Sequence, residues 1–150
     1  MIVRRLETGD EATACQAVAT FKNAYPTINY MTQFLADKAT YFYVAKVEGE
    51  LAGFLLAYKM DRCDGERAMM FLYEIEVLSQ HRRQGIGKSL VQATKKECEQ
   101  QGILKMFVLT DDSNEPAKNL YASAGGRREQ EKPVLFHYGI ESGDQSPSRA

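Results

Sequence analysis

Small and apolar side chains recur at Ile86, Leu90, Val91, Thr94 and Cys98, spacings of three and four that lay one stripe along a helix. Gly102 stands where a C-terminal cap belongs, so the pattern predicts a helix of about four turns ending there. Elsewhere the period is two, or the run is continuous. "YFYVAKVEGELAGFLLAYKM" (41–60) reads as two strands joined at Glu48-Gly49-Glu50, and "MMFLYEIEVL" (69–78) as a third. "ILKMFVLT" (103–110) is so evenly apolar that burial on both faces is expected. "PVLFHYGI" (133–140) reads as the closing strand, with Val134, Phe136 and Tyr138 on one face and Leu135 and His137 on the other.

The N-terminal stretch "IVRRLETGDEATACQAVATF" (2–21) predicts a short strand and then a helix opened by a capping box of Thr8 and Glu11. Its inward stripe is expected at Ala12, Cys15, Ala19 and Phe21. A second short helix is expected over Tyr30 to Asp37. "DDSNEPAKNLYASAGG" (111–126) predicts a last helix, headed by Asn114 and Pro116 and stopped at Gly125. The order β-α-α-β-β-β-α-β-α-β describes an α/β domain whose strand, helix, strand segment permits a parallel crossover.

At 150 residues the chain suits one domain, expected over residues 1–140, with "ESGDQSPSRA" (141–150) as a polar tail. A net charge of -1 argues against a nucleic-acid partner, which calls for a basic face. No apolar run reaches a membrane span and no leader pattern is present, so no membrane and a cytoplasmic location are expected. Cys15, Cys63 and Cys98, with His81 and His137, match no metal-ligand spacing, so no metal is expected.

The chemistry concentrates at "VLSQHRRQGIGKSL" (77–90), where a strand runs through Gly85 and Gly87 into the helix. A helix N-terminus aims backbone N–H groups and the positive end of its dipole at such a loop, which suits a phosphate. Arg82, Arg83 and Lys88 add charge, although two glycines alone equally describe a tight strand-to-helix turn. Neither a P-loop nor a dinucleotide fingerprint is present.

The loop Arg82-Arg83-Gln84-Gly85-Ile86-Gly87, followed by a helix, a strand and Asn114-x-x-Ala117-x-x-x-Tyr121-x-x-x-Gly125, resembles the GNAT superfamily of N-acetyltransferases. The resemblance implies a mixed, mostly antiparallel sheet with a parallel pair at a splayed cofactor cleft and helices on both faces. It implies acetyl-CoA as cofactor, its pantetheine arm along Ile75, Glu76 and Val77 and its pyrophosphate on the amides from Arg83 through Lys88. Asn114 is a helix cap or a cofactor contact, two compatible roles, and Ala117 is a further expected cofactor contact. Tyr121 either packs its ring inward or protonates the leaving thiolate.

Glu74 and Glu76 share one face of their strand, expected to be central in the sheet, and either line a cleft or alternate toward solvent. Glu74 is the candidate general base. Asp111, Asp112 and Glu115 form a second acidic group, either a substrate rim or turn and cap residues. Within the superfamily, "YEIEVLSQHRRQGIGKSL" and the "FHYGI" ending look most like the class I aminoglycoside 3-N-acetyltransferases of the gentamicin-resistance type. Glu74 then stands at that group's aspartate and His137, an expected substrate contact, at the histidine of its last motif. Departures are Gly87 for Ala, Glu for Asp at 74, Gly139 for Asp, and a segment "NAYPTIN" without acidic residues. The resemblance implies direct acetyl transfer to a cationic small-molecule amine and a possible homodimer. Another amine, such as a polyamine or a peptide, and a non-catalytic acetyl-CoA-binding module remain the other two readings.

Overall fold

The computed structural model describes residues 1–131 and 133–140. Five strands form one sheet in sequence order: β1 (Ile2–Leu6), β2 (Thr40–Val47), β3 (Glu50–Met60), β4 (Met69–Val77) and β5 (Lys105–Val108). The first three pairings are antiparallel and β4 with β5 is parallel. The hairpin between β2 and β3 turns on Glu48 and Gly49, both at positive φ (51° and 84°), the geometry that matches strand twist.

Helices cover both faces. On one, α1 (Glu11–Lys22) and α2 (Ile28–Ala36) bury Ala14, Ala17, Met31 and Leu35 against Phe42, Val44 and Phe54. On the other, α3 (Ile86–Gln100) and α4 (Glu115–Ser123) lie over a core of Tyr41, Leu55, Met70, Leu72 and Leu90. Every residue of the predicted α3 stripe is buried. The helix ends in a Schellman motif: the Ile103 N–H donates to Cys98 O at 2.9 Å, the Gly102 N–H to Glu99 O at 3.3 Å, and Gly102 takes φ 65°.

Several expectations are corrected. The continuously buried strands are β2 and β3, each covered on both faces, whereas β5 is a four-residue edge strand with no fully buried residue. β4 is next to that edge, not central, and alternates. In α1 the buried positions are Ala14 and Ala17, with Val18 and the expected Cys15 and Phe21 packed beside them; Ala12 is exposed. The capping box does not form, because Asp10 takes the N-cap position with its carboxylate on Arg4 and the Glu7 N–H, while Glu11 accepts from the Gly9 N–H. The closing strand does not form either: residues 133–140 pair with no strand, and Val134, Leu135, Phe136, Tyr138 and Ile140 are 76–89% exposed. An isolated strand has no ladder to satisfy its amides, so its sequence pattern alone cannot hold it in a sheet. The tail 141–150 lies outside the described residues.

Candidate active site

β4 and β5 part company halfway. Their last paired residues are Leu72 and Val108, yet β4 continues to Val77, so a wedge opens beside Tyr73 to Val77. The cause is local: a bulge sets Leu72 and Glu74 of β4 opposite the adjacent residues Ala57 and Leu56 of β3, leaving Tyr73 as the extra residue. Bulges raise twist and turn a strand from its neighbour. Past the bulge, Glu74 and Glu76 register with Leu56 and Phe54 and so share the α1 face, while Ile75 and Val77 pack into the α3 core. Glu74 is half-buried and Glu76 exposed.

The wedge leads directly into the loop. A 3-10 turn, Ser79–His81, is held by the Leu78 N–H on Ala52 O (2.9 Å), and the Arg82 Nε–H donates to Val77 O at 3.2 Å. Arg83 and Gly85 both take left-handed backbone (φ 59° and 79°), and Gly85 caps α3 without a side-chain bond. As a result six successive N–H groups, Arg83, Gln84, Gly85, Ile86, Gly87 and Lys88, donate to no protein acceptor among the described residues. Successive amides in left-handed turns at the positive end of a helix form a concave donor set for an anion. Arg82, Arg83 and Lys88 are exposed and carry no carboxylate partner among the described residues. A pyrophosphate fits this set.

Two glycines bring the pieces together. A Cβ on Gly53 would stand 3.1 Å from Glu76 O and 3.1 Å from Ile86 Cγ2, so a glycine lets α3 start tight against the sheet. A Cβ on Gly87 would stand 3.1 Å from Leu120 Cδ1, so the loop glycine is also where α4 docks. Tyr121 follows Leu120 and leans on the same core; its phenol, protonated at neutral pH at its ordinary value, is pushed further up by burial. Its carbonyl accepts from the Gly126 N–H at 2.8 Å, and the Gly125 N–H donates to Ala122 O, a second Schellman motif with Gly125 at φ 90°.

Asn114 is a cap, its Oδ1 accepting from the Ala117 N–H at 3.2 Å. The second acidic group is largely neutralised within the protein. Asp112 pairs with Lys118 (3.2 Å) and Arg128 (2.9 Å), which hold its carboxyl below the usual range, and Glu115 pairs with Lys118 at 2.7 Å. Asp111 is exposed, and its carbonyl accepts from the Asn114 N–H at 3.0 Å. His137 sits on the exposed 133–140 segment with no described bond to the wedge. The described residues offer no cluster of His, Cys, Asp and Glu fit for a metal, and no described helix is long and apolar enough to cross a membrane.

The fold also exposes side chains that the sequence did not single out. Tyr58, Phe71, Tyr73 and Phe107 form an aromatic wall on the Glu74 face, with Phe71 and Phe107 stacked at 4.9 Å and Tyr58 and Tyr73 edge-on at 5.7 Å. Lys22 reaches from α1 to place Nζ 2.9 Å from Glu74 Oε1. The Phe71-x-Tyr73 alternation was visible in the sequence; the Lys22 contact spans 52 positions and was not.

A sheet splayed at a bulge, with an anion-ready loop at the head of a helix beside the splay, defines a GNAT-type fold. The chain belongs to the acetyltransferase (GNAT) family, whose profile matches residues 10–125. It is 30% identical over 122 residues to an N-alpha-acetyltransferase of Sulfurisphaera tokodaii, covering 77% of this chain and 71% of that one. It is 32% identical over 92 residues to N-acetyltransferase 8 of Rattus norvegicus, where the match takes in 61% of this chain but 41% of the relative. Among solved structures, the aminoglycoside acetyltransferase meta-AAC0020, from an uncultured soil metagenomic sample and in complex with sisomicin, superposes with a TM-score of 0.85. It is 25% identical, with 93% of this chain and 96% of that one covered.

Proposed function

We propose that the protein is an acetyl-CoA-dependent N-acetyltransferase acting on a cationic small-molecule amine, with an aminoglycoside as the substrate and its 3-amino group as the acceptor. One observation carries the cofactor half: six acceptor-less amides lie at the mouth of the splay. The likeness to meta-AAC0020 over nearly the whole of both chains supports the substrate half. The position of the amine rests on the sequence resemblance at Glu74, His81 to Ile86 and Tyr121.

Bound acetyl-CoA supplies a thioester whose carbonyl carbon is open to attack by an amine. Amides 83 to 88, with Arg82, Arg83 and Lys88, hold its diphosphate, and the β4 backbone along Ile75, Glu76 and Val77 faces the arm that follows. Glu74 accepts the proton of the acceptor's ammonium, directly or through one water, so that the nitrogen lone pair can attack. Tyr121, protonated at neutral pH, donates to the departing sulfur. Glu76, on the same face two residues on, attracts further ammonium groups, as do Asp111, Asp112 and Glu115 at the rim. Their ties to Lys118 and Arg128 leave the rim carboxylates the weaker attractors. Direct transfer in a ternary complex agrees with the cysteine positions: Cys98 is buried in the α3 core with its thiol pushed up to about 11, Cys63 lies in the loop before β4, and Cys15 is half-buried on α1 with its Sγ 3.6 Å from Pro26 O. We assign residues 133–140, which carry His137, to a homodimer contact, because five large apolar side chains stand in solvent there.

The relative from Sulfurisphaera tokodaii supports a second reading, acetylation of a peptide N-terminus. Free-thiol release from acetyl-CoA with sisomicin, gentamicin, spermidine, an N-terminally free peptide and buffer alone separates the two. Release with the aminoglycosides above the others supports the first reading. Silence there, with release on the peptide, overturns the substrate and keeps the chemistry. Mass spectrometry of the product then locates the acetyl group.

A further inference from the structure

Lys22 occupies the last turn of α1, and its ammonium rests 2.9 Å from Glu74 Oε1, an oxygen of the carboxylate assigned above to the acceptor's proton. The pair is the one described ion pair made by a β4 carboxylate; Glu76, on the same face, has none. Hydrogen bonding to Glu74 raises the Lys22 pKa, so the side chain stays cationic through the neutral range. With side chains 45% and 28% exposed, the two partners are solvated, and such pairs are weak and exchange readily. A lysine in the last turn of a helix can also turn to the helix's terminal carbonyls, at the negative end of the dipole, which is where Lys22 stands in sequence. Helix α1 ends there, with Asn23 in left-handed backbone at φ 50°.

We propose that Lys22 is a resident substitute for the acceptor's ammonium, displaced from Glu74 when the substrate binds, and that it thereby sets how strongly a cation must bind to enter the site. The inference rests on Glu74 as the acceptor's carboxylate. Two ammonium groups on one carboxylate repel each other, so an amine close enough to pass its proton to Glu74 drives Nζ away. A polycation gains Glu76 as well, which offsets the displacement, while a single ammonium has only the contested carboxylate. Lys22 is on this account a specificity-determining residue that takes no part in proton transfer.

The test is calorimetric titration of sisomicin and of spermidine into the folded protein and its Lys22→Met, Lys22→Arg and Glu74→Gln variants, each alone, and into Lys22→Met/Glu74→Gln. Met keeps the stem and removes the charge. We expect Lys22→Met to tighten binding about threefold, the scale of one exposed ion pair, and Lys22→Arg to stay near wild type. In the Glu74→Gln background the same change should tighten binding less, because the two sites are coupled. A purely structural pair predicts the reverse: a lower melting temperature in Lys22→Met with affinity unchanged or weakened, and that result overturns the proposal. If wild type binds spermidine and not sisomicin, the aminoglycoside reading fails while the spermidine arm still decides the role of Lys22. If sisomicin binds with no tightening in Lys22→Met, the reading stands and the inference falls. Failure of every variant to bind either cation overturns the inference as well.

Discussion

Tyr121 and Glu74 divide the proton work proposed here, and their surroundings suit them to it differently. The tyrosine is half-buried on the α3 core with its phenol pushed up by desolvation; the glutamate is half-buried, with a lysine at its oxygen. Tyr121→Phe should leave acetyl-CoA affinity within about twofold and lower kcat by ~10²-fold, the usual scale for losing a general acid. Steady-state kinetics beside a cofactor titration reads both. Glu74→Gln should lower kcat/KM for sisomicin by a similar ~10²-fold while thiol release in buffer alone stays unchanged. A third residue-scale expectation concerns alkali. Burial pushes the Cys98 thiol from 9.0 up to about 11 and raises the Tyr43 and Tyr121 phenols. The unfolded chain then releases these protons at lower pH than the folded one does, so the stabilisation is complete below pH 9 and lost as pH rises toward 11. Denaturant midpoints measured from pH 8 to 11 should fall, and Cys98→Ala should flatten part of that fall.

At the scale of elements, the site is made by ends and irregularities. The loop amides face one way because Gly85 holds φ 79°, which a β-branched residue cannot hold without strain. Nothing lies within 4 Å of a Cβ placed there, so Gly85→Val should fold and yet bind acetyl-CoA at least ~10-fold more weakly as the loop relaxes. Circular dichroism with cofactor titration separates loss of binding from loss of fold. Gly126 is a packing case instead. Its Cβ would come within 2.8 Å of Tyr121 O, so Gly126→Ala has to push the end of α4 outward, costing about 1–3 kcal/mol in chemical denaturation. That shift also moves Tyr121, so kcat should fall with it.

For the whole molecule, the sheet ends on a short β5 whose outer edge pairs with nothing among the described residues, and the apolar segment 133–140 follows α4. Exposed strand edges and exposed apolar runs are what oligomers cover. A chain ending at Glu131 should sediment as a monomer where the full chain sediments as a dimer, and a monomeric full chain would remove the homodimer from the proposed function.

Much of this architecture was legible in the sequence for a physical reason. The α3 stripe, the β2–β3 turn, both glycine stops and the loop 82–88 are set by local period, backbone freedom or missing side chains, which are properties of neighbours in the chain. The burial of β5, the place of β4 in the sheet and the fate of 133–140 were not legible, because an apolar run does not record which strand lies beside it. The same limit applies to the α1 stripe: Ala12, Ala14, Ala17 and Ala19 are alike as residues, and only the angle at which the helix meets the sheet chose among them. Sequence alone thus determined the family and the strand, loop and helix junction at 82–88. Tertiary structure decided that Glu74 meets Lys22 across 52 positions and that Arg128 returns to Asp112, since long-range pairing of charges follows from packing and not from order along the chain, whereas Lys118 finds Asp112 and Glu115 within its own stretch of sequence.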